Sequence, residues 1–210
     1  MNKQMLKDSL ILFAITLAAG LLLGLVYAVT KEPIVTAQEQ KKQNAYQSVF
    51  EDATAFEEQA IDLEEASAIL TEAGYEKDVI DEVQIACDNQ GNPLGYVIMV
   101  TSKEAYGGSL QLVVGIRLDG TVNRIAFLSL DETMGLGMEA KQPAFYEQFS
   151  NKQVDQFVYT KSGANADYEI DALSGATITS NAVTNGVNAA ICYAHTLGVS
   201  NTELGGGQDE

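Results

Sequence analysis

The chain has 210 residues, enough for one membrane segment and one domain with a real core, and its 29 Asp and Glu outweigh 12 Lys and Arg to give a net charge of −17. That balance excludes nucleic acid as a partner and disfavours adsorption of the soluble part to anionic lipid. Two Cys and one His without ligand spacing exclude an iron–sulfur set and a disulfide framework, and Cys87 and Cys192 read as free thiols, or as a single disulfide if their compartment is oxidising. With no Trp in the chain, a flat ligand ring would have to stack on Tyr, Phe, Leu or Met.

Residues 1–9 form a short polar tail with Lys3 and Lys7 opposed by Asp8. Residues 10–30 follow as a candidate membrane segment, apolar from Leu10 to Val29 except at Thr16, the length of a spanning helix. A cleaved signal peptide competes, but no A-x-A-like site stands cleanly after the run, so the segment reads as an uncleaved anchor in the lipid bilayer. The weak positive-inside bias puts the N-terminus in the cytoplasm and the following domain outside the cell membrane. Gly20 and Gly24 form a G-x-x-x-G pair through which neighbouring membrane helices can approach.

Residues 31–78 read as a helical stalk and connection: helix from Pro33 to about Phe50, an acidic link from Glu51 to Ala60, and a short helix over Asp62–Ala73 stopped by Gly74. Residues 79–198 read as the folded domain. Strands are expected at Val79–Cys87, Leu94–Thr101, Ser109–Leu118 and Thr121–Leu130, joined by turn clusters such as Asp119-Gly120. Four such strands in succession, flanked by helices, give an α+β fold with an antiparallel sheet. Ala105-Tyr106-Gly107-Gly108 between the second and third strands is either a flexible hairpin loop or a loop whose glycines let backbone lie close to a ligand.

Asp131-Glu132-Thr133-Met134-Gly135-Leu136-Gly137 follows the fourth strand. It lacks the third glycine of a dinucleotide fingerprint, but a polar pair, two glycines and Leu136 can wrap a flat ring. The aromatics of the short helix Pro143–Phe149 read as core, and Phe157–Tyr159 as a short strand. Asp171-Ala172-Leu173-Ser174-Gly175-Ala176-Thr177 then precedes a helical pattern, Val183, Val187, Ile191 and Ala194, that runs to about Leu197. Thr179 or Ser180 is the expected N-cap. The stretch is a helix cap and nothing more, or a place where a phosphate meets free N–H groups, with Gly175 and Ala176 leaving room for its approach. The acidic tail, 199–210, reads as disordered.

The anchor, Tyr106-Gly107-Gly108, Leu118-Asp119-Gly120, the Glu132–Gly137 loop and Ser174-Gly175-Ala176-Thr177 together resemble the G subunit of the Rnf electron-transport complex, a family related to the C subunit of the sodium-translocating NADH:quinone oxidoreductase. The family's loop usually reads Glu-Thr-Pro-Gly-Leu-Gly; Met134 stands here in place of the proline. The resemblance implies FMN bound covalently to Thr177 through a phosphoester made by a flavin transferase, with Thr179 and Ser180 as chemically possible acceptors. Ser174, Gly175 and Thr179 would hold the phosphate, Glu132 and Thr133 would contact the ring, and Leu136 would shield it beside Gly137. Asp171 would serve recognition by the transferase. It further implies an electron carrier among other membrane subunits of an ion-translocating ferredoxin:NAD oxidoreductase, not a complete catalyst by itself. A subunit of a quinone-reducing complex, a stand-alone flavoprotein and a cofactor-free assembly subunit are the competing readings.

Overall fold

The computed structural model describes residues 3–199. The expected acidic tail beyond Val199, and the first two residues of the N-terminal tail, lie outside the described residues. The chain forms two compact units that divide between Gln43 and Asn44.

The first unit is the greater part of helix α1, Lys3–Val49. Its apolar window has a mean hydropathy of 2.5 and buries nothing within the protein. It is long enough and apolar enough to cross a bilayer, and it is wholly exposed within the protein.

The second unit is built on a six-stranded antiparallel sheet in simple order: β1 (Ala55–Gln59), β2 (Asp78–Cys87), β3 (Pro93–Ser102), β4 (Leu110–Arg117), β5 (Thr121–Leu130) and β6 (Lys152–Gln153). The four central strands fall where β-branched and aromatic runs place them. Two edge strands had no such signal. β1 lies in the segment expected to be an acidic link; its sequence Ala-Phe-Glu-Glu-Gln leaves every side chain at least partly exposed, and pairing with β2 alone makes it a strand. β6 has two residues, too few for any periodicity.

Residues 44–78, expected as stalk and connection, are thus part of the packed unit. The end of α1 brings Tyr46, Val49 and Phe50 into the core, each at most 1% exposed. Helix α2 (Leu63–Glu72) is N-capped by Asp62, whose carboxylate accepts from the Glu64 and Glu65 amides at 2.9 and 3.2 Å.

Alternation along the strands sorts the core into two faces. Ile98, Val100, Leu112 and Val114 point to a large cluster completed by α2 and by helix α4 (Thr177–Thr196). Val97, Met99, Val113 and Leu128 point the other way, onto Tyr46, Val49, Phe50 and Ala53. After β5 the chain makes a 3₁₀ turn (Gly137–Lys141) and helix α3 (Pro143–Tyr146). The aromatics there are core, as their spacing suggests: Phe145 and Phe149 are buried, and Phe149 meets Phe157 edge-on at 5.1 Å. A separate two-stranded parallel sheet pairs β7 (Val158–Thr160) with β8 (Glu169–Asp171), leading into α4. Cys87 is buried, Cys192 is half-buried, and both are free thiols held in the protonated form by burial, with carboxylates adding to the effect at Cys87.

Candidate functional site: a cleft at the start of helix α4

Between the loop after β5 and the N-terminus of α4 lies a cleft of about 520 Å³, within the roughly 300–1,000 Å³ usual for ligand pockets. One wall is Glu132, Thr133, Leu136 and Gly137. The facing wall is Gly175 and the first turn of α4, Ala176 to Thr179; Tyr106 closes the side. The sequence-expected residues are therefore brought together, with one exception: Ser174 is exposed and does not line the cleft. Tyr106 and Ile178 are the lining residues not singled out as contacts; the glycines beside Tyr106 were the available signal.

The helix starts earlier than its hydroxyls suggest. Ala176, with no side-chain cap bond, is the N-cap, and Thr177 is the first helical residue. Thr179 and Ser180, the expected caps, are buried within the first turn. Ser180 Oγ instead donates to Ala176 O at 3.0 Å and accepts from the Leu173 amide at 2.9 Å, so it folds the preceding loop back onto the helix. The N-terminal donors of α4 are thus left without a capping side chain, which suits an anion.

Two glycines fix the cleft's depth. A Cβ on Gly137 would stand 2.6 Å from Thr179 Oγ1 and 2.8 Å from Glu132 Oε2, so the two walls meet only because no side chain intervenes. Gly175 has φ +73°, the left-handed region that favours glycine, and a Cβ there would stand 3.0 Å from Leu136 Cδ2, so the bare backbone keeps that side from being filled. Glu132 Oε1 accepts from the Tyr106 amide at 3.0 Å. Asp171 is occupied outside the cleft: its Oδ1 accepts from the Ala164 amide at 2.6 Å and its own amide donates to Gln148 Oε1 at 2.7 Å.

The arrangement offers an uncapped helix N-terminus with the Thr177 hydroxyl beside it, and an apolar rim of Leu136 and Ile178, 41% and 52% exposed. A ligand with a phosphate at one end and a flat, partly apolar ring at the other fits both features; FMN is such a ligand.

Residues 105–192 match the FMN-binding domain family, and residues 1–49 match the RnfG N-terminal region. The G subunit of the Na(+)-translocating ferredoxin:NAD(+) oxidoreductase complex of Acetobacterium woodii is 35% identical over 195 residues, covering 90% of this chain and 91% of that one. The proton-translocating counterpart of Clostridium ljungdahlii is 30% identical over 88% of this chain and 92% of its own. The G subunit of the ion-translocating oxidoreductase complex of Methanosarcina acetivorans is 30% identical, with coverages of 91% and 95%. Among solved structures, NqrC of Shewanella oneidensis aligns at a TM-score of 0.47 and 20% identity over 57% of this chain and 61% of that one. The chain belongs to the family of Rnf complex G subunits, as a membrane-associated electron-transport subunit with an FMN-binding domain.

Proposed function

We propose that the chain carries FMN covalently, through a phosphoester between the FMN phosphate and Thr177 Oγ1, and relays electrons within a complex that oxidises ferredoxin and reduces NAD while moving Na+ or H+. The observation that carries this reading is the position of Thr177: first residue of a 20-residue helix with no capping side chain, and part of the cleft wall opposite Glu132 and Leu136. FMN, when bound, supplies one- and two-electron redox chemistry. This chain's residues hold and orient it. The amides of the first turn of α4 meet the phosphate, with Gly175 and Ala176 leaving the approach open and Thr179 packed beneath. Glu132 and Thr133 face the polar edge of the ring, Gly137 lets them come close, and Leu136 with Ile178 shields its apolar surface from water. Exposed Ser174 and Asp171 are the residues a flavin transferase reads.

In the same reading residues 10–30 cross the membrane once, the N-terminus is cytoplasmic, and the domain stands on the other side, where a covalent link prevents loss of the cofactor. Other membrane subunits of the complex are the partners, with Gly20 and Gly24 offering a close-approach face.

Intact-mass measurement of the chain made together with a flavin transferase tests the proposal. The expected mass exceeds the bare chain by one FMN less water, and Thr177→Val removes the increment with the fold unchanged by circular dichroism. Denatured Thr177→Val protein that still fluoresces as flavin in a gel would put the link elsewhere, with Thr179 and Ser180 next in line. A bare mass for the native chain would favour a cofactor-free assembly subunit.

A further inference from the structure

Tyr106 reaches the cleft from a segment that belongs to neither of its walls. Lys103 to Gly108 connects β3 to β4, and its tie points lie on three other parts of the fold. The Lys103 amide donates to Lys77 O at 3.0 Å. Glu104 projects onto α4, where its Oε2 accepts from Asn181 Nδ2 at 3.1 Å and Asn185 Nδ2 at 2.6 Å, while its Oε1 pairs with Lys77 Nζ at 3.4 Å. The Glu104 side chain is only 20% exposed, so these charge-assisted bonds are shielded from competing water. Ala105 is buried in the larger core. The Tyr106 amide donates to Glu132 Oε1 at 3.0 Å. Gly107 is pressed against the loop after β5: a Cβ there would stand 1.7 Å from Asp131 O, and only glycine fits.

The helix periodicity gives the ties their meaning. Thr177, Asn181 and Asn185 are four residues apart, hence on one face of α4. Glu104 therefore grips α4 one and two turns beyond Thr177, on the same side, while two residues later Tyr106 is fastened to the Glu132 wall. One carboxylate ties the segment to the helix and another ties its tip to the facing loop.

We propose that residues 103–108 are a strap that sets the third wall of the flavin cleft, and that Glu104 is its positioning residue: by holding Asn181 and Asn185 it fixes where Tyr106 stands beside the ring. The inference rests on the FMN reading for its consequence at the ring, and on this chain alone for the strap itself.

The test uses full-length Glu104→Ala, Glu104→Gln and the double variant Asn181→Ala with Asn185→Ala. Amide hydrogen exchange is followed first in the Thr177→Val background, which needs no flavin. Loss of the clamp is expected to speed exchange of the Lys103 and Tyr106 amides at least tenfold in Glu104→Ala and in the double Asn variant, with Leu112–Val114 in β4 unchanged. Glu104→Gln, which keeps an oxygen for the two Asn amides, should restore most of the protection. In chains with Thr177 intact and loaded with FMN, iodide quenching of flavin fluorescence should rise severalfold in Glu104→Ala while the flavin mass stays. Strap exchange within twofold of the parent in Glu104→Ala overturns the proposal, as does equal acceleration in β4, which would make Glu104 a general stabiliser. Altered exchange with unaltered iodide quenching also overturns it, since the strap would then not form a wall. If the native chain takes up no flavin, the function proposed above fails, and the exchange experiment still decides the strap.

Discussion

The two faces of the sheet bury apolar side chains by different means. One face is covered by α2 and a 20-residue α4, and its cluster extends through the aromatics of α3 to Phe157. The other is closed by a handful of residues around the end of α1: Tyr46, Val49, Phe50 and Ala53. The α4 face admits polar groups along its margin, among them Asp78, Thr179, Ser180 and Asn188, and the cleft opens at its end. The α1 face is an apolar plug seated on bare backbone. A Cβ on Gly95 would lie 2.2 Å from Ile116 O and 2.8 Å from Phe50, and one on Gly115 would lie 2.9 Å from Val49 O. Arg124 and Asn123 of β5 donate to the Ser48 and Val49 carbonyls that the helix end leaves over. The difference separates two tasks within one sheet: the broad face positions a ligand, and the narrow face fastens the chain segment that continues from the anchor.

That contrast is most easily broken at Phe50. Its ring is fully buried and lies against Arg117, 5.6 Å from guanidinium carbon to ring centroid, and few neighbours can collapse into the space it would leave. Phe50→Ala is expected to cost about 3–5 kcal/mol, measured by urea denaturation, with the cleft on the other face still able to take up flavin. Loss of flavin in a variant that remains folded would show that the faces are coupled. The corresponding change on the broad face is Gly137→Ala. Its Cβ would force Thr179 and Glu132 apart, for up to about 3 kcal/mol, and the effect should fall on the cleft: flavin incorporation drops more than stability does. A stability loss with full incorporation would mean that the walls have slack.

How far these faces could be read from the chain follows from the same contrast. Strands β3 and β4 carry near-continuous apolar, β-branched runs because both their faces are buried, and the helical period of Val183, Val187 and Ile191 marks α4 equally well. The plug was not legible. Tyr46, Val49 and Phe50 continue a polar helix without a break in composition, and only the sheet they land on makes them core. The cleft residues were legible by type but not by register. Thr179 and Ser180 have the chemistry of caps, yet both are buried in the first turn, where the Ser180 hydroxyl donates to Ala176 O, and the helix starts at Thr177. Ser174 sits among phosphate-binding residue types in sequence and stands outside the lining in space. The role of Glu104 has no local signal at all, since its partners Asn181 and Asn185 are 77 and 81 residues away.

The margin of the broad face also carries a charge that opposes folding. Asp78 is 4% exposed, and burial pushes its carboxyl from 3.8 up to about 6, with the nearby Ser102 hydroxyl opposing the shift and Glu104 and Glu76 adding repulsion. A carboxyl whose pKa is raised on folding contributes fully below pH 3.8, and that contribution is lost as pH rises through about 6. Asp78→Asn should therefore raise stability at pH 8 by on the order of 2 kcal/mol and by much less at pH 4. A gain of equal size at both pH values would trace to packing instead.

The smallest effect sharpens the comparison at the cleft itself. Ala176 is the N-cap of α4 at φ −130°, ψ 50°, and it supplies no side-chain acceptor. In Ala176→Ser the new hydroxyl can accept from the first-turn amides, adding up to about 1 kcal/mol to the stability of the flavin-free chain. Those amides are the donors a phosphate needs, so the cap and the cofactor compete for one set of bonds. Thermal melting of the flavin-free variant should rise while the fraction carrying the flavin mass falls. A higher melting temperature with undiminished flavin would show that the phosphate is held by the Thr177 link and the glycine backbone, without the helix N-terminus.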